Sequence, residues 1–94
     1  MFVLHVEIKL KPGKDEVMKG IYRETFRPAI VKQQGFRSVE LLRSTESDAY
    51  LLSIAFETDE LRIQWVNSNL HQEVWPRMEE HFVTASLRRF ITVD

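Results

Sequence analysis

The sequence predicts a single α+β domain whose elements follow the order β-α-β-β-α-β around an antiparallel sheet. The chain has 94 residues, a length that one hydrophobic core typically serves. Its 44% hydrophobic and 29% charged residues are close to the averages of globular domains. Apolar residues recur at every second position in four segments, which are predicted strands, and at every third or fourth position in two others, which are predicted helices.

The first strand is predicted over residues 2–10, where apolar and polar side chains alternate strictly. The apolar positions that share one face are Phe2, Leu4, Val6, Ile8 and Leu10. Residues 11–14 end the strand, because Pro12 lacks the ladder donor and Gly13 favours turns. The single apolar face predicts that this strand packs against a core.

The first helix is predicted to begin at Asp15 and to carry one apolar stripe. The residues of this stripe are Val17, Met18, Ile21, Tyr22, Phe26, Ala29 and Ile30. Pro28 falls inside the pattern and removes a backbone hydrogen bond, so we expect a kink, or a break with Pro28 starting a second short turn. Gly35 is the expected C-terminal stop.

Two further strands are predicted over residues 36–44 and 49–57, joined by a polar turn. The apolar residues on one face of the second of them are Tyr50, Leu52, Ile54 and Phe56. Its other face, with Leu51, Ser53 and Ala55, is small but hardly polar. Near-continuous apolarity is typical of a central strand that is covered on both sides.

The second helix is predicted to follow Thr58 or Asp59, either of which can cap its N-terminus. Leu61 and Trp65 lie on one side of it, and the apolar residues on the opposite side are Ile63, Val66 and Leu70. The Asn-Ser-Asn segment at 67–69 predicts that the helix is broken in two. The further stretch has an arc that predicts core packing, formed by Val74, Trp75, Met78, His81 and Phe82. Pro76 is tolerable if it falls in the first turn of that stretch.

A fourth strand is predicted over residues 84–93, which completes the ferredoxin-like βαββαβ pattern. In this pattern both helices cover one face of the sheet, and we expect the even-numbered side chains of strands one and three to face them. The residues on the opposite face of those strands are Val3, His5, Glu7, Leu51, Ser53 and Ala55. This face is too apolar to remain in water, so we expect a second copy of the chain to cover it.

Charge and composition exclude several classes of function. The net charge of -1 gives no electrostatic footprint for nucleic acid or an anionic membrane, and the open face lacks the aromatic residues of an RNA-recognition module. No apolar run approaches the roughly 20 residues that span a bilayer, and residues 1–7 lack the basic segment of a secretory leader, so we expect a cytoplasmic protein. With no cysteines and scattered histidines, we expect no metal site. No glycine-rich phosphate loop or Gly-x-Ser-x-Gly motif is present.

The most informative stretch is Trp65-Val-Asn-Ser68-Asn-Leu-His71, which runs off the end of the second helix. Together with the order of strands and helices, it resembles the antibiotic-biosynthesis monooxygenase family of the dimeric α+β barrel superfamily, which commonly shows tryptophan, serine and histidine at this spacing. Segments at residues 11–13, 35–36 and 42–44 are similar to the family too. The resemblance covers essentially the whole chain, so we expect residues 1–94 to form one domain of this family.

The resemblance implies a homodimer in which two sheets pack face to face, with a ligand cavity between sheet and helices. Characterised relatives oxidise phenols, anthrones or quinols with O₂, which implies a monooxygenase with a small electron-rich aromatic substrate and no flavin, metal or other cofactor. His71 is then the candidate catalytic base, because an imidazole titrates near neutral pH. Trp65, Ser68 and His5 are the candidate substrate-binding residues, with Trp65 as a wall that carries one N–H donor.

Other interpretations of the same residues remain open. His71 at a helix end also suits capping of backbone carbonyls, Trp65 suits a core or dimer contact, and His5 suits a buried, hydrogen-bonded position. The domain is then a non-catalytic or regulatory barrel that binds a small metabolite, or an isomerase or lyase that acts on a small oxo-acid.

One branch of the family degrades haem, with an asparagine on strand one and, as iron ligand, a histidine ten residues after the tryptophan. In this chain Trp75 stands ten residues after Trp65, and the strand-one position is Val6 or Glu7. The resemblance therefore does not extend to haem degradation.

Overall fold

The computed structural model describes all 94 residues and contains four strands and two helical regions. The strands are β1 (Phe2–Leu10), β2 (Phe36–Arg43), β3 (Tyr50–Phe56) and β4 (Phe82–Ile91). The first helical region consists of α1 (Asp15–Ile21), a π-helical turn (Tyr22–Phe26) and α2 (Arg27–Ile30), and the second of α3 (Asp59–Val66) and α4 (Asn69–Glu79). None of these helices has the length and apolar character that crossing a bilayer requires.

The four strands form one antiparallel sheet in the spatial order β2-β3-β1-β4. The register places Val6 of β1 opposite Leu52 of β3 on one side and opposite Leu87 of β4 on the other. The two inner strands are therefore β3 and β1, which confirms the central position predicted for β3. The helices cover one face of the sheet, and the architecture is the ferredoxin-like α+β fold that the sequence predicts.

The core lies between the helices and the sheet. Its strand residues are the even-numbered positions predicted to face the helices, which are Phe2, Leu4, Val6, Ile8, Tyr50, Leu52, Ile54 and Phe56. From the helical side, Met18, Phe26, Ile30 and Met78 pack onto them and are almost completely buried. Burial of this apolar surface is the principal stabilising contribution to the fold.

The first helical region continues through Pro28 by means of the π-helical turn. The backbone N–H of Arg27 donates to the carbonyl of Tyr22, five residues back, so this turn is one residue wider than an α-helical turn. Pro28 then lies in the first turn of α2, where its missing N–H costs little. Of the two predicted alternatives, the structure has the one in which Pro28 starts a second short helical segment, and the wider turn joins that segment to α1.

The first helical region ends at Ile30, before the stop expected at Gly35. The side-chain Nε2 of Gln33 donates to the carbonyl of Ala29 at 2.9 Å and satisfies one of the last helical acceptors. Gly35 has a φ of 80° and instead shapes the turn that leads into β2.

The second helical region is broken in two at the Asn-Ser-Asn segment, as predicted. Of the two expected caps, Thr58 is the one used, since its Oγ1 accepts a hydrogen bond from the N–H of Leu61 at 3.2 Å. The helix α3 then ends at Val66, and α4 begins at Asn69.

In the later part of this region, the condition stated for Pro76 is not met, and the expected place of Phe82 in the helix was wrong. Pro76 lies in the interior of α4 and not in its first turn, so the carbonyl of Gln72 loses its helical donor. Both residues are exposed, which leaves that carbonyl accessible to water. Phe82 does not extend the helical arc but begins β4, two residues before the expected start, because its side chain reaches the same core from the strand.

The strand β4 leaves apolar side chains uncovered in the single chain. It is an edge strand of ten residues, and only its first residue is buried. Phe90 is 45% exposed, Leu87 50% and Ile91 74%. A long edge strand with exposed apolar residues is typical of a surface that another chain covers.

Candidate functional site

A cavity of about 270 Å³ lies between the sheet and the α3–α4 segment. The apolar residues of its lining are Leu4, Val6, Phe26, Ile54, Trp65, Val66, Trp75 and Leu87, and the polar ones are Arg62, His71 and Arg89. The volume lies just below the roughly 300–1,000 Å³ typical of small-molecule sites. The cavity therefore suits a ligand of one or two rings.

The junction between α3 and α4 positions His71 at this cavity. Ser68 is the N-cap of α4, and its Oγ accepts a hydrogen bond from the backbone N–H of His71 at 3.2 Å. The same hydroxyl donates to the carbonyl of Trp65 at 2.7 Å, so one side chain links the last turn of α3 to the first turn of α4. Serine is favoured at an N-cap because its side chain pairs an otherwise unsatisfied N–H. The spacing of Trp65, Ser68 and His71 thus encodes a helical corner that brings the indole and the imidazole together.

The imidazole of His71 lies against both tryptophans of the chain. Its ring centroid is 5.0 Å from that of Trp65, with the planes nearly perpendicular, and 5.9 Å from that of Trp75, with an interplanar angle of 18°. Phe26 contacts the two indoles at 6.2 and 5.8 Å between ring centroids. These aromatic contacts restrict the orientation of the imidazole.

His71 is a neutral base at pH 7. Burial lowers its pKa below the ordinary value of 6.5, and although the Glu79 carboxylate opposes this effect, the Arg62 guanidinium adds to it. The Nδ1 atom is buried without a hydrogen-bond partner, so protonation of both nitrogens leaves a buried N–H unpaired. An imidazole that accepts a proton at Nε2 carries its other proton on Nδ1, where the chain offers no acceptor.

Two guanidinium groups supply the charge of the cavity lining. The Arg62 side chain is 12% exposed, and its Nε donates to Oδ1 of Asp59 at 2.6 Å. Its guanidinium carbon also lies 5.1 Å from the ring centre of Phe2. Arg89, on the sheet wall, is exposed and forms no ion pair within the chain. Because no carboxylate lines the cavity, its lining carries a positive charge.

The structure brings two of the four predicted site residues together in this cavity. Trp65 and His71 both line it, whereas Ser68 does not and contacts it only through the cap. His5 lies on the opposite face of the sheet, where its ring contacts that of Phe90 at 4.9 Å. It lines a separate cavity of about 360 Å³ on that face. The sheet therefore separates His5 from His71.

Three lining residues did not emerge from the sequence as site residues: Arg62, Trp75 and Arg89. Trp75 does pack onto the core, against Phe82 at 5.7 Å, but it also forms the cavity wall beside His71. Helical spacing is the sequence signal that could have identified two of them. Arg62 lies three residues before Trp65, and Trp75 lies four residues after His71, so each is on the same helix face as a predicted site residue. For Arg89, the sequence signal is that a charged residue stands between apolar residues, Leu87 and Ile91, on one face of a predicted strand. No group of three or more His, Asp or Glu side chains is arranged to hold a metal ion.

Solved structures share this fold over nearly the whole chain. A candidate antibiotic biosynthesis monooxygenase from Nitrosomonas europaea gives a TM-score of 0.85 at 16% identity, covering 100% of both chains. A second one, from Bordetella bronchiseptica, gives 0.85 at 22% identity, covering 98% of this chain and 97% of that one. A variant of MhuD with two manganese protoporphyrin IX molecules bound per active site gives 0.82 at 22% identity, covering 99% and 95%. At these identities the similarity establishes the fold.

The sequence also matches a protein-family model. The match extends over residues 1–77, from β1 into α4, and includes Arg62, Trp65 and His71. The family is described as antibiotic biosynthesis monooxygenase. A comparison with curated proteins finds no match. Because the model covers more than three quarters of the chain, this protein belongs to the antibiotic biosynthesis monooxygenase family.

Proposed function

We propose that this chain is a monooxygenase that oxidises a small, electron-rich aromatic molecule, such as a phenol, anthrone or quinol, with O₂. The observation that supports this function best is the position of the His71 imidazole, which contacts Trp65 and Trp75 and lines a largely apolar cavity. A base with a lowered pKa in a site poor in water is what deprotonation of such a molecule requires. Membership of the family supports the same class of reaction.

His71 acts as the general base in this reaction. In the neutral tautomer that carries its hydrogen on Nδ1, its Nε2 accepts a proton from a hydroxyl or an activated CH₂ group of the substrate. The resulting anion is itself the reductant of O₂. When a CH₂ group becomes a ketone, the carbon loses two hydrogens and gains one oxygen atom, and the other oxygen atom leaves as water. The substrate supplies all four electrons, so no separate reductant is consumed.

The two tryptophans are the walls against which the substrate ring packs. Trp65 is buried and held by Phe26, whereas Trp75 is half-buried and its Nε1 donates to Oε2 of Glu79 at 3.2 Å. Fixed aromatic surfaces orient a flat substrate at little cost in side-chain entropy. Ser68 is a positioning residue, because it acts on the substrate only through the placement of His71.

A second candidate function is the binding of a small metabolite without chemistry, as in a regulatory barrel. One observation favours it: His71 is the only residue in the cavity lining that exchanges a proton near neutral pH. Many catalysts return the proton that they have accepted to water through a second titratable side chain. The lining of this cavity contains no such second side chain. The same walls serve both functions, so a measurement of oxygen consumption decides between them.

Haem chemistry is not part of this proposal. The MhuD variant among the similar structures binds manganese protoporphyrin IX. The family resemblance implies that the haem-degrading branch has its iron ligand ten residues after the tryptophan. That position in this chain is Trp75, whose indole Nε1 donates to Glu79 and offers no lone pair to a metal. The residue present there does not fit an iron ligand.

We propose further that the protein is a homodimer in which a second copy covers the open face of the sheet. Apolar side chains exposed there include Leu42 of β2 and Phe90 of β4. In such a dimer His5, which contacts Phe90, lies in or beside the interface and away from His71. In this arrangement His5 belongs to the dimer interface, and His71 belongs to the site of the reaction.

Oxygen uptake by the purified protein tests the proposed reaction. The substrates are dihydroxynaphthalenes, anthrones and simple hydroquinones, and every rate is compared with autoxidation in the absence of protein. We expect uptake above autoxidation, and a loss of about 10²–10⁴-fold in the enzymatic part for His71→Gln, as for removal of a general base. This substitution keeps the backbone N–H that Ser68 accepts, so the helix cap is preserved.

His81→Gln is the matched control, because His81 lies in the turn between α4 and β4 and outside the cavity. Circular dichroism shows whether both variants are folded. Uptake that a folded His71→Gln retains in full contradicts the assignment of the base. Binding of the same compounds without any uptake above autoxidation favours the metabolite-binding barrel.

A further inference from the structure

The lining of the cavity contains two guanidinium groups and no carboxylate. We propose that its ligand is an aromatic carboxylate, whose ring lies between the apolar walls and whose carboxylate is bound by Arg89 and Arg62. This inference rests on the proposed function and deepens it, because it narrows the substrate class to hydroxyaryl carboxylates.

Arg89 occupies a place that apolar residues hold elsewhere on its face of β4. It lies opposite Leu4 of β1, and its neighbours on the same face are Leu87 and Ile91. It forms no ion pair, whereas Arg88, directed to the other face, pairs with Glu7 at 3.4 Å. An unpaired guanidinium at an apolar cavity presents a planar fork of donors that matches a carboxylate.

Arg62 is the second donor, and the fold holds it in place. Asp59 accepts from its Nε, and the ring of Phe2 lies beneath its guanidinium. The contact to Asp59 uses Nε, and the two terminal nitrogens form no hydrogen bond within the chain. Because Asp59 offsets part of the charge of Arg62, the principal partner of a carboxylate is Arg89. A side chain that is already held loses little rotamer entropy when a ligand binds.

The position of the ligand's aromatic ring follows from the groups that bind its carboxylate and its hydroxyl. Arg89 belongs to the sheet wall and His71 to the helical wall, so a molecule that reaches both crosses the cavity. Its hydroxyl group then faces Nε2 of His71, while its carboxylate lies at the guanidinium groups. The apolar walls between them exclude water and strengthen the pairing of charges. The whole chain carries a net charge of -1, so the preference for an anion arises from the lining and not from the overall field.

Calorimetric titration with a matched pair of ligands tests this inference. The pair is a hydroxynaphthoate and its neutral primary amide, which have nearly the same shape and differ in charge. We expect the wild type to bind the carboxylate about tenfold or more tightly than the amide, as for a charge-assisted hydrogen bond. The advantage decreases as salt is raised, because ions screen the pairing. Arg89→Gln removes most of this preference, and Arg88→Gln, its neighbour on the opposite face, retains it.

Each result has a distinct meaning. Equal affinity for carboxylate and amide overturns the substrate class and leaves the proposed function standing. A preference that persists in Arg89→Gln overturns the role of Arg89. If the wild type binds neither compound but does bind anthrones and hydroquinones, the proposed carboxylate ligand is wrong and the proposed function still stands. Failure to bind any of these aromatic compounds overturns the proposed function as well.

Discussion

A single side chain, His71, shows how its surroundings change the chemistry of an ordinary residue. Its sequence position at a helix start is unremarkable, yet the corner at Ser68 turns its ring onto two indoles. Burial then removes the water that stabilises an imidazolium ion. No protein acceptor lies next to Nδ1 to take the place of that water. The result is a base whose pKa lies below the ordinary value of a histidine.

The lowered pKa of His71 predicts a specific pH dependence of stability. Because the pKa is lower in the folded chain than the ordinary 6.5 of the unfolded chain, the unfolded state binds more protons between these two values. The stabilisation is fully present above about pH 6.5 and is lost as the pH falls toward the folded-state pKa. We expect the free energy of unfolding to decline over this range in the wild type and to decline less in His71→Gln.

Urea denaturation at a series of pH values from about 7.5 to about 5 measures this difference. Thr58→Ala, which removes no titratable group, is the control and should retain the pH dependence of the wild type. Parallel curves for the wild type and His71→Gln contradict the lowered pKa.

Ser68 predicts a separation of stability from ligand placement. Ser68→Ala removes the N-cap of α4 and should lower the free energy of unfolding by about 1 kcal/mol. Thr58→Ala removes the cap of α3 and should cost a similar amount. We expect only Ser68→Ala to weaken ligand binding as well, because only this cap fixes His71. Denaturation and calorimetric titration of both variants provide the comparison, and equal losses of affinity contradict the positioning role.

The bounds of the strands and helices were predictable where the local sequence pattern matches the side chains that the fold buries. Residues 2–10 alternate strictly, and β1 has the predicted bounds. The break after Val66 was also predictable, because Asn and Ser compete for the backbone and favour caps. The π-helical turn and the interior position of Pro76 were not, because each depends on how a neighbouring element accommodates a missing N–H.

The site was predictable in part for the same reason. A local motif on one corner of the chain brings Trp65 and His71 together, and short-range spacing carries that information. Arg89 enters the cavity only through the register of β4 against β1, a pairing between residues far apart in the chain. His5, by contrast, lies on the face away from the cavity because it is an odd-numbered residue of β1, as the local alternation predicts. Long-range pairing is not encoded in a local pattern.

The turn before β2 gives a prediction at the scale of an element. Gly35 has a φ of 80°, and a Cβ added there would overlap Cδ1 of Leu61 in α3. Gly35→Ala should therefore lower the free energy of unfolding by more than the roughly 1–2 kcal/mol of a left-handed backbone alone. Gly20→Ala is the matched control, because nothing lies within 4 Å of its added Cβ.

Gly20 is helical, so its replacement by alanine should raise the free energy of unfolding by about 0.5–1 kcal/mol. Chemical denaturation of the two variants measures both changes. A Gly35→Ala variant as stable as the wild type contradicts close packing of this turn on α3.

For the whole molecule, the exposed residues of β4 predict assembly. A chain of 94 residues buries a limited fraction of its surface, so covering Phe90, together with Leu42 of β2 on the same face, adds substantially to its stability. We expect sedimentation equilibrium to give twice the monomer mass of 11.2 kDa at micromolar concentration. Phe90→Asp should shift the equilibrium toward monomer, because it places a charge on the proposed interface.

Val17→Asp is the control for that experiment, since Val17 is similarly exposed but lies on α1, away from the open face. It should leave the mass unchanged. A wild type that sediments as a monomer contradicts the proposed dimer.

The alternation of Arg88 and Arg89 along β4 has a consequence for insertions. One extra residue early in the strand shifts every later side chain to the opposite face. Arg88 then occupies the cavity position of Arg89, and Arg89 occupies the position of Phe90 on the open face. The cavity keeps a cation and the open face exchanges Arg88 for Arg89, but Phe90 leaves that face and Leu87 enters it. A single inserted codon therefore rearranges the surface for self-association while the cavity retains its charge.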